Sequence, residues 1–177
     1  MSIGVHSKYA RIEHERRFLL RQLPAEFAAA PRRELFDRYI TGTRLRLREQ
    51  RDDDAPAVYK LTQKVGQPNT GYRQGWITTM LLEEREFRAL AQLAADTITK
   101  TRYRLPPLCA DVFAGRLVGL VLAEAEFASR EEACDFQAPA FAVAEVSENE
   151  RFTGGKLAAA TRTEVESWLA AFDLGLG

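Results

Sequence analysis

Apolar and charged residues alternate along much of this chain. From Arg11 to Leu20 the sequence RIEHERRFLL sets Glu13, Glu15 and Arg17 on one side of an extended chain and Ile12, His14 and Arg16 on the other, before an apolar end. Period two predicts a strand. Pro24 opens a short Ala-rich stretch, AEFAAA, read as a helix closed by Pro31. Three strand-like runs follow, RRELFDRYI, TRLRLREQ and VYKLTQK, with turns supplied by Thr41-Gly42 and by Arg51 to Pro56. After a polar loop from Gly66 to Gly71, YRQGWITTM reads as a fifth strand. Leu82, Phe87, Leu90 and Leu93 then recur at helical spacing and predict an amphipathic helix over 82–94.

TITKTRYRLP, LCADVFAG and LVGLVLAEAEFAS are the next strand candidates, separated by Pro106-Pro107 and Gly115-Arg116. Ser129 is placed to cap a helix over REEACDF, with Glu131 and Glu132 in its first turn, where the helix dipole favours negative charge. Phe141 to Val146 predicts a last extended segment, and EVESWLAAF a terminal helix. About eight strands with helices between and after them, no internal repeat and no linker-like stretch make one α+β domain over 1–177. The strands occupy about 11–146 and a helical segment about 154–174.

With 177 residues, 46% of them apolar, the chain can bury a core without disulfide or metal. Cys109 and Cys134 lack C-x-x-C spacing and read as small hydrophobes. The longest apolar run, Leu117 to Ala123, is too short to span a bilayer, and no signal peptide is visible, so a cytoplasmic protein without a membrane role is expected. Lys plus Arg total 25 and Asp plus Glu 25. That balance argues against a duplex-binding protein, whose footprint is a basic excess, and no nucleic-acid partner is expected.

The charges are distributed by face. Arg44, Arg46 and Arg48 share one side of the third strand, and Lys60, Thr62 and Lys64 one side of the fourth. In a hairpin these like charges would lie opposite one another, which is unfavourable unless an anion sits between them. Lys100, Arg102 and Arg104 repeat the pattern on the sixth strand, while Glu13, Glu15, Asp111, Glu124 and Glu126 place carboxylates on the first, seventh and eighth. Any one such face could simply meet water. Six together predict a closed barrel whose lumen carries the charges and whose apolar outer faces are covered by the helices at 82–94, 129–136 and 163–173. With Arg17, the inward set comprises nine cations (Arg17, Arg44, Arg46, Arg48, Lys60, Lys64, Lys100, Arg102, Arg104) and the five carboxylates just named. Such a lumen attracts a compact polyanion, and a triphosphate with Mg²⁺ or Mn²⁺ suits it: carboxylates at i and i+2 aim at one ion, and Arg and Lys neutralise phosphate oxygens.

Glu13 to Leu20, EHERRFLL, resembles the E-x-E-x-K signature that opens the CYTH family of triphosphate tunnel metalloenzymes. The resemblance continues through R-x-R at Arg44 and Arg46, T-x-K at Thr62 and Lys64, KTRY at Lys100 to Tyr103, DVFAG at Asp111 to Gly115 and AEAEF at Ala123 to Phe127. It extends to EVSENERFTGGKLA, where Lys156 holds the position of the family's late basic residue. The family includes class IV adenylate cyclases, thiamine triphosphatases and inorganic triphosphatases. The resemblance implies an eight-stranded antiparallel tunnel with Glu13, Glu15, Asp111, Glu124 and Glu126 as metal ligands. It implies catalytic roles for Glu13, Glu15 and Arg17, and substrate contacts from Arg44, Arg46, Lys60, Lys64, Lys100, Arg102 and Lys156. The implied reaction is attack by water on the terminal phosphorus of inorganic triphosphate or a small organic triphosphate.

Two positions depart from the family pattern. Arg17 replaces the signature's lysine, a planar fork for a compact ammonium. The fifth strand reads Arg73, Gln74, Gly75, Trp76, Ile77 where family triphosphatases often carry E-x-E, so a non-catalytic polyphosphate- or nucleotide-binding module of the same fold is the main alternative. Cyclisation of ATP is a further one, although no residue marks a base pocket. TGGKLA at Thr153 to Ala158 lacks the upstream glycine and the following Ser or Thr of a P-loop, and His6 and His14 are too few for a histidine metal site or triad.

Overall fold

A computed structural model describes residues 9–66 and 74–177. His6, most of the polar loop before Tyr72, and Tyr72 and Arg73 at the start of the expected fifth strand lie outside the described residues. In chain order the elements are β1 (Arg11–Leu20), β2 (Arg32–Ile40), β3 (Leu45–Asp52), β4 (Val58–Gly66), β5 (Gln74–Leu82), α1 (Glu84–Leu90), β6 (Ala95–Leu105), β7 (Leu108–Phe113) and β8 (Val121–Phe127). They are followed by α2 (Arg130–Asp135), β9 (Ala142–Glu145), α3 (Gly154–Ala159) and α4 (Arg162–Ala170).

Eight strands run in the order β5-β4-β3-β2-β6-β7-β8-β1, every neighbour antiparallel, and β1 pairs with β5 to close the barrel. Closure removes the free edges on which an open sheet would aggregate. β1 is long enough to serve two partners on one edge: Arg11 to His14 pair with β5, and Phe18 to Leu20 with the ninth strand, β9. The opposite edge of β1 is filled by β8.

The helices are shorter than the apolar spacing suggests. β5 extends through Leu82, and a capping box between Glu83 and Glu86 starts α1 only at Glu84. Phe87 of α1 is buried and stacks on Tyr59 of β4, ring centroids 4.7 Å apart, while Leu93 lies beyond the helix and is exposed. Between Pro24 and Pro31 there is room for one 3-10 turn, Ala25–Phe27, whose Phe27 is fully buried. Ser129 caps α2 as expected, its hydroxyl accepting from the Glu132 amide.

The core is divided by the barrel wall. On the outer side Phe18, Leu20, Phe27, Leu108, Ala110, Val121, Ala123 and Ala125 pack with Phe127, Phe136 and Phe141 under α2 and β9. Arg16, on the outer side of β1, ties these pieces together by donating to the Ala133 carbonyl and to both carboxylate oxygens of Glu145. The second cluster lies on the lumen side. There Leu19, Ile98, Phe113 and Leu122 meet Phe152, Leu157, Val165 and Leu169. α4, expected over an outer apolar face, therefore packs with α3 against residues of the inner face. The physical reason is that these four strand positions form an apolar patch on a largely charged face, and they need an apolar cover. Arg116 fixes that cover by donating to the carbonyls of Thr97, Leu157, Ala158 and Ala160, satisfying the end of α3. Among the described residues no helix is long and apolar enough to cross a membrane.

Candidate functional site

Cross-strand partners project to the same side of a sheet, so the register carries one face around the barrel. Glu13 lies opposite Gly75, Ile77 opposite Lys64, Thr79 opposite Thr62 and Thr62 opposite Arg46. The same face continues through Arg46 and Tyr39, Arg48 and Asp37, Leu35 and Lys100, Arg102 and Asp111, Cys109 and Glu124, and returns to β1 at Glu124 and Arg17. This is the concave side, because its side chains bridge strands that are not neighbours. Lys64 on β4 reaches Glu13 on β1 at 2.7 Å, and Arg102 on β6 reaches Glu124 on β8.

Two connected groups of charges line it. In the first, Lys64 Nζ sits 2.7 Å from Glu13 and 3.5 Å from Glu15, Arg17 pairs with Glu15 and, at 3.3 Å, with Glu124, and Arg102 joins Glu124 to Asp111. Asp111 is fully buried, takes a two-point contact from Arg102 at 2.6 and 2.7 Å, and also accepts from Lys100. In the second, fully buried Asp37 takes both Nε and Nη2 of Arg48, at 2.6 and 2.7 Å. Arg46 lies on the other side of Asp37 at 3.8 Å, too far for a hydrogen bond. Its Nε is buried without any hydrogen-bond partner. A buried guanidinium donor left open is costly in a finished structure and marks a place where an acceptor belongs.

The electrostatics follow from burial and pairing. Burial pushes the Glu13 carboxyl up, and Glu15 and Glu126 push it further, outweighing Lys64. Burial acts on Glu124 in the same sense, but Arg102, Lys100 and Arg17 overcome it and hold that carboxyl well below its ordinary value. Arg17 and Lys64 likewise overcome burial at Glu15 and lower it. Asp37 is held at about 2 against burial by Arg46 and Arg48. Burial lowers Lys100, even with Asp111 beside it, while Lys64 is held above its ordinary value by Glu15 and Glu13.

Of the residues singled out in the sequence, Glu13, Glu15, Arg17, Arg46, Lys60, Lys64, Lys100, Arg102, Asp111 and Glu124 share this wall. Glu126 is on the same face, opposite Glu15, but at the rim: its side chain is 53% exposed and pairs with Arg11 at 3.7 Å. Arg44 precedes β3 and is exposed. Lys156 is not brought to the others. It lines an open groove of about 1020 Å³ with Glu145, Arg151 and Trp168, at the surface of β9, α3 and α4. Asp111, expected as a metal ligand, has both oxygens engaged by Lys100 and Arg102 and serves to orient them. Two wall residues went unassigned in the sequence, Asp37 and Tyr39, while Arg48 was placed on the wall without a role of its own. The alternation of Leu35, Asp37 and Tyr39 against Phe36, Arg38 and Ile40 carried the signal, muted because β2 places only one acid on its inner face beyond Arg33.

Two solved structures of the protein NE1496 are similar to this chain, one described as a hypothetical protein and the other as an inorganic triphosphatase. They superpose with TM-scores of 0.56 and 0.55 at 28% and 26% identity, over 84% of this chain and 99% and 95% of theirs. The eight-stranded closure, the charged inner wall and the motif order agree with that likeness. The chain thus shares the closed barrel and the motif order of the CYTH triphosphate tunnel proteins. No family model matches it, and no curated protein matches it significantly.

For a tunnel of this kind the question is whether the wall suits a divalent metal. Among the described residues no three acids, histidines or cysteines are gathered closely enough to hold one. The donor chemistry nevertheless fits a hard cation, since Glu13 and Glu15 present carboxylate oxygens from one strand face and Glu126 stands across from Glu15. The Lys64 ammonium between Glu13 and Glu15 is a stand-in cation in that place. β5 contributes Gly75 and Ile77, with no oxygen donor in either side chain.

Proposed function

We propose that this protein hydrolyses inorganic triphosphate, or a small organic triphosphate, within the barrel with Mg²⁺ or Mn²⁺. The observation that carries the reading is the buried Nε of Arg46, which has no hydrogen-bond partner, on a wall shared with Arg48, Lys100 and Arg102. Those cations meet phosphate oxygens by charge-assisted hydrogen bonds, Arg in two-point fashion and Lys as a point charge. Asp37 and Asp111 hold the guanidinium planes of Arg48 and Arg102 in place before substrate arrives, so little ordering remains when it binds. Glu13, Glu15 and Glu126 would hold the divalent cation. When bound, it supplies positive charge to the terminal phosphate and acidifies water.

In the reaction a water oxygen forms a bond to the terminal phosphorus while the bond to the bridging oxygen breaks. The departing diphosphate keeps that electron pair, and its charge is met by Arg46, Arg48, Lys100 and Arg102. The proton of water passes to a wall carboxylate. Likeness to NE1496, described as an inorganic triphosphatase, supports the substrate class.

The test is phosphate release from inorganic triphosphate with Mg²⁺ or Mn²⁺, set beside calorimetric binding of the same anion. Turnover that stops in excess chelator is expected. A second reading, sequestration of polyphosphate without turnover, is favoured by the neutral Gly75 and Ile77 on β5 and is the outcome if calorimetry shows tight binding and no phosphate appears with either metal.

A further inference from the structure

Lys64 and the neutral inner face of β5 form one device. Lys64 belongs to β4 and Glu13 and Glu15 to β1, and β5 lies between them. Two strand spacings, about 10 Å, separate the backbones that carry the pair. The ammonium crosses that gap because the inner positions in its way are Gly75, opposite Glu13, and Ile77, opposite Lys64 itself. Glycine offers no side chain, and isoleucine no charge to stop a lysine. A carboxylate at either position would hold Lys64 on its own side of the barrel. As built, Lys64 Nζ reaches Glu13 at 2.7 Å and Glu15 at 3.5 Å and neutralises a carboxylate pair that would otherwise repel itself. Of the two cations touching this pair, Arg17 is the more fixed. Besides Glu15 it binds Glu124 and the Phe152 carbonyl, and it is buried, whereas the Lys64 side chain is 45% exposed.

We propose that Lys64 is a resident counter-ion of Glu13 and Glu15 that keeps divalent metal out of the free protein, and that triphosphate admits the metal by drawing the ammonium onto its own oxygens. The proposal rests on the functional reading above for the identity of the anion. Its metal-exclusion half stands on the geometry of β1, β4 and β5 alone. Anion and metal then bind with positive coupling for two reasons, direct contact between them and release of Lys64, and only the second is lost when Lys64 is removed.

The experiment is titration of Mn²⁺ into the full chain without triphosphate, followed by calorimetry and by the electron paramagnetic resonance of free Mn²⁺, in wild type, Lys64→Met, Lys64→Arg and Gly75→Glu, the last also combined with Lys64→Met. Wild type and Lys64→Arg should bind weakly. Lys64→Met should bind about tenfold or more tightly than wild type, because the cation competing for the pair is gone. Gly75→Glu adds an oxygen donor beside Glu13 as well as a nearer carboxylate for Lys64, so it should raise Mn²⁺ affinity by a larger factor in wild type than in Lys64→Met, where only the first effect operates. In Lys64→Met, added triphosphate should raise Mn²⁺ affinity by a smaller factor than in wild type. Mn²⁺ affinity that is equal in wild type and Lys64→Met, or weaker in the variant, overturns the proposal. So does a Gly75→Glu change that raises affinity by no larger a factor in wild type than in Lys64→Met. None of these readings requires turnover: a protein that hydrolyses nothing but shows the shift retains the Lys64 counter-ion and loses only the triphosphatase assignment.

Discussion

Replacing Asp37 with Asn removes one charge from the middle of the cationic wall while keeping the size of the side chain. Asp37 is fully buried, and its carboxyl is held at about 2 by Arg46 and Arg48 although burial opposes it. Set against an ordinary carboxyl near 3.8, that corresponds to about 2.5 kcal/mol of stability at neutral pH. Breaking a buried ion pair from one side costs about 3–5 kcal/mol, and an amide that still accepts one hydrogen bond from Arg48 brings the loss to the lower end, about 2–3 kcal/mol. In urea denaturation at pH 7 without anion, Asp37→Asn should be less stable than wild type by that amount. The pH dependence has a fixed sign. A depressed carboxyl contributes fully above its unfolded value, near 4, and the contribution is lost as pH falls toward 2, so the gap between the two proteins should close over that interval.

Saturating triphosphate gives the decisive reading. Arg46 and Arg48 in the variant have lost their internal anion, so the ligand replaces it, binds the variant more tightly and recovers most of the lost stability. A stability gap that triphosphate leaves unchanged would mean that Arg46 and Arg48 are structural ion-pair residues and that the polyanion assignment of this wall is mistaken.

Arg46→Ala should weaken triphosphate binding by about 2–4 kcal/mol in calorimetry, since it removes a desolvated fork whose Nε has no hydrogen-bond partner within the protein; unchanged affinity with a sharply lower thermal midpoint would reverse its assignment. Glu126→Gln should lose most phosphate release yet bind triphosphate at least as well, because a rim carboxylate facing the anion has been neutralised; wild-type turnover in this variant would remove Glu126 from the metal end. Arg116→Ala strips donors from four carbonyls at the seam between α3 and the barrel. It should cost about 2–3 kcal/mol and speed hydrogen exchange over 154–170 before that of β1 and β8, and uniform acceleration of all segments would show that α3 and α4 are not a separable cover.

The barrel was legible because its inner face is charged on strand after strand and period two cannot hide that. Arg46, Lys64, Lys100, Arg102, Glu13, Glu15 and Glu124 were readable one strand at a time, and the register has only to close for them to meet. Two kinds of information were not local. The first is which charges neutralise which: Asp111 reads as a lone acid on a strand, and only the pairing of β6 with β7 gives it to Lys100 and Arg102. Asp37 was obscured in the same way, one carboxylate in a run that also holds Arg33, Glu34 and Arg38. The second is where an apolar face goes. Leu19, Ile98, Phe113 and Leu122 follow their charged neighbours at i and i+2, so their side of the wall was predictable, but that α3 and α4 would cover them from within depends on contacts between ends of the chain far apart in sequence.

The wall's internal pairing changes what binding to it means. A lumen of unopposed cations would attract any anion and would itself be unstable, because buried like charges repel and must be solvated. Here Arg48 leans on Asp37, Arg102 on Asp111 and Glu124, Arg17 on Glu15 and Glu124, and Lys64 on Glu13. An incoming anion therefore competes with carboxylates already in place, and a single charge gains little from the exchange. A triphosphate can engage several of these cations at once along its length, and the Glu13 and Glu15 carboxylates released from Lys64 become available to a metal. Discrimination for a compact polyanion over phosphate or a lone carboxylate thus comes from the number of internal pairs replaced in one event, and metal should enhance binding of the longer anion more than of the shorter. Calorimetry of phosphate, diphosphate and triphosphate with and without Mn²⁺ measures that directly. An affinity that rises equally with each added phosphate, and a metal effect independent of length, would show that the internal pairs do not take part.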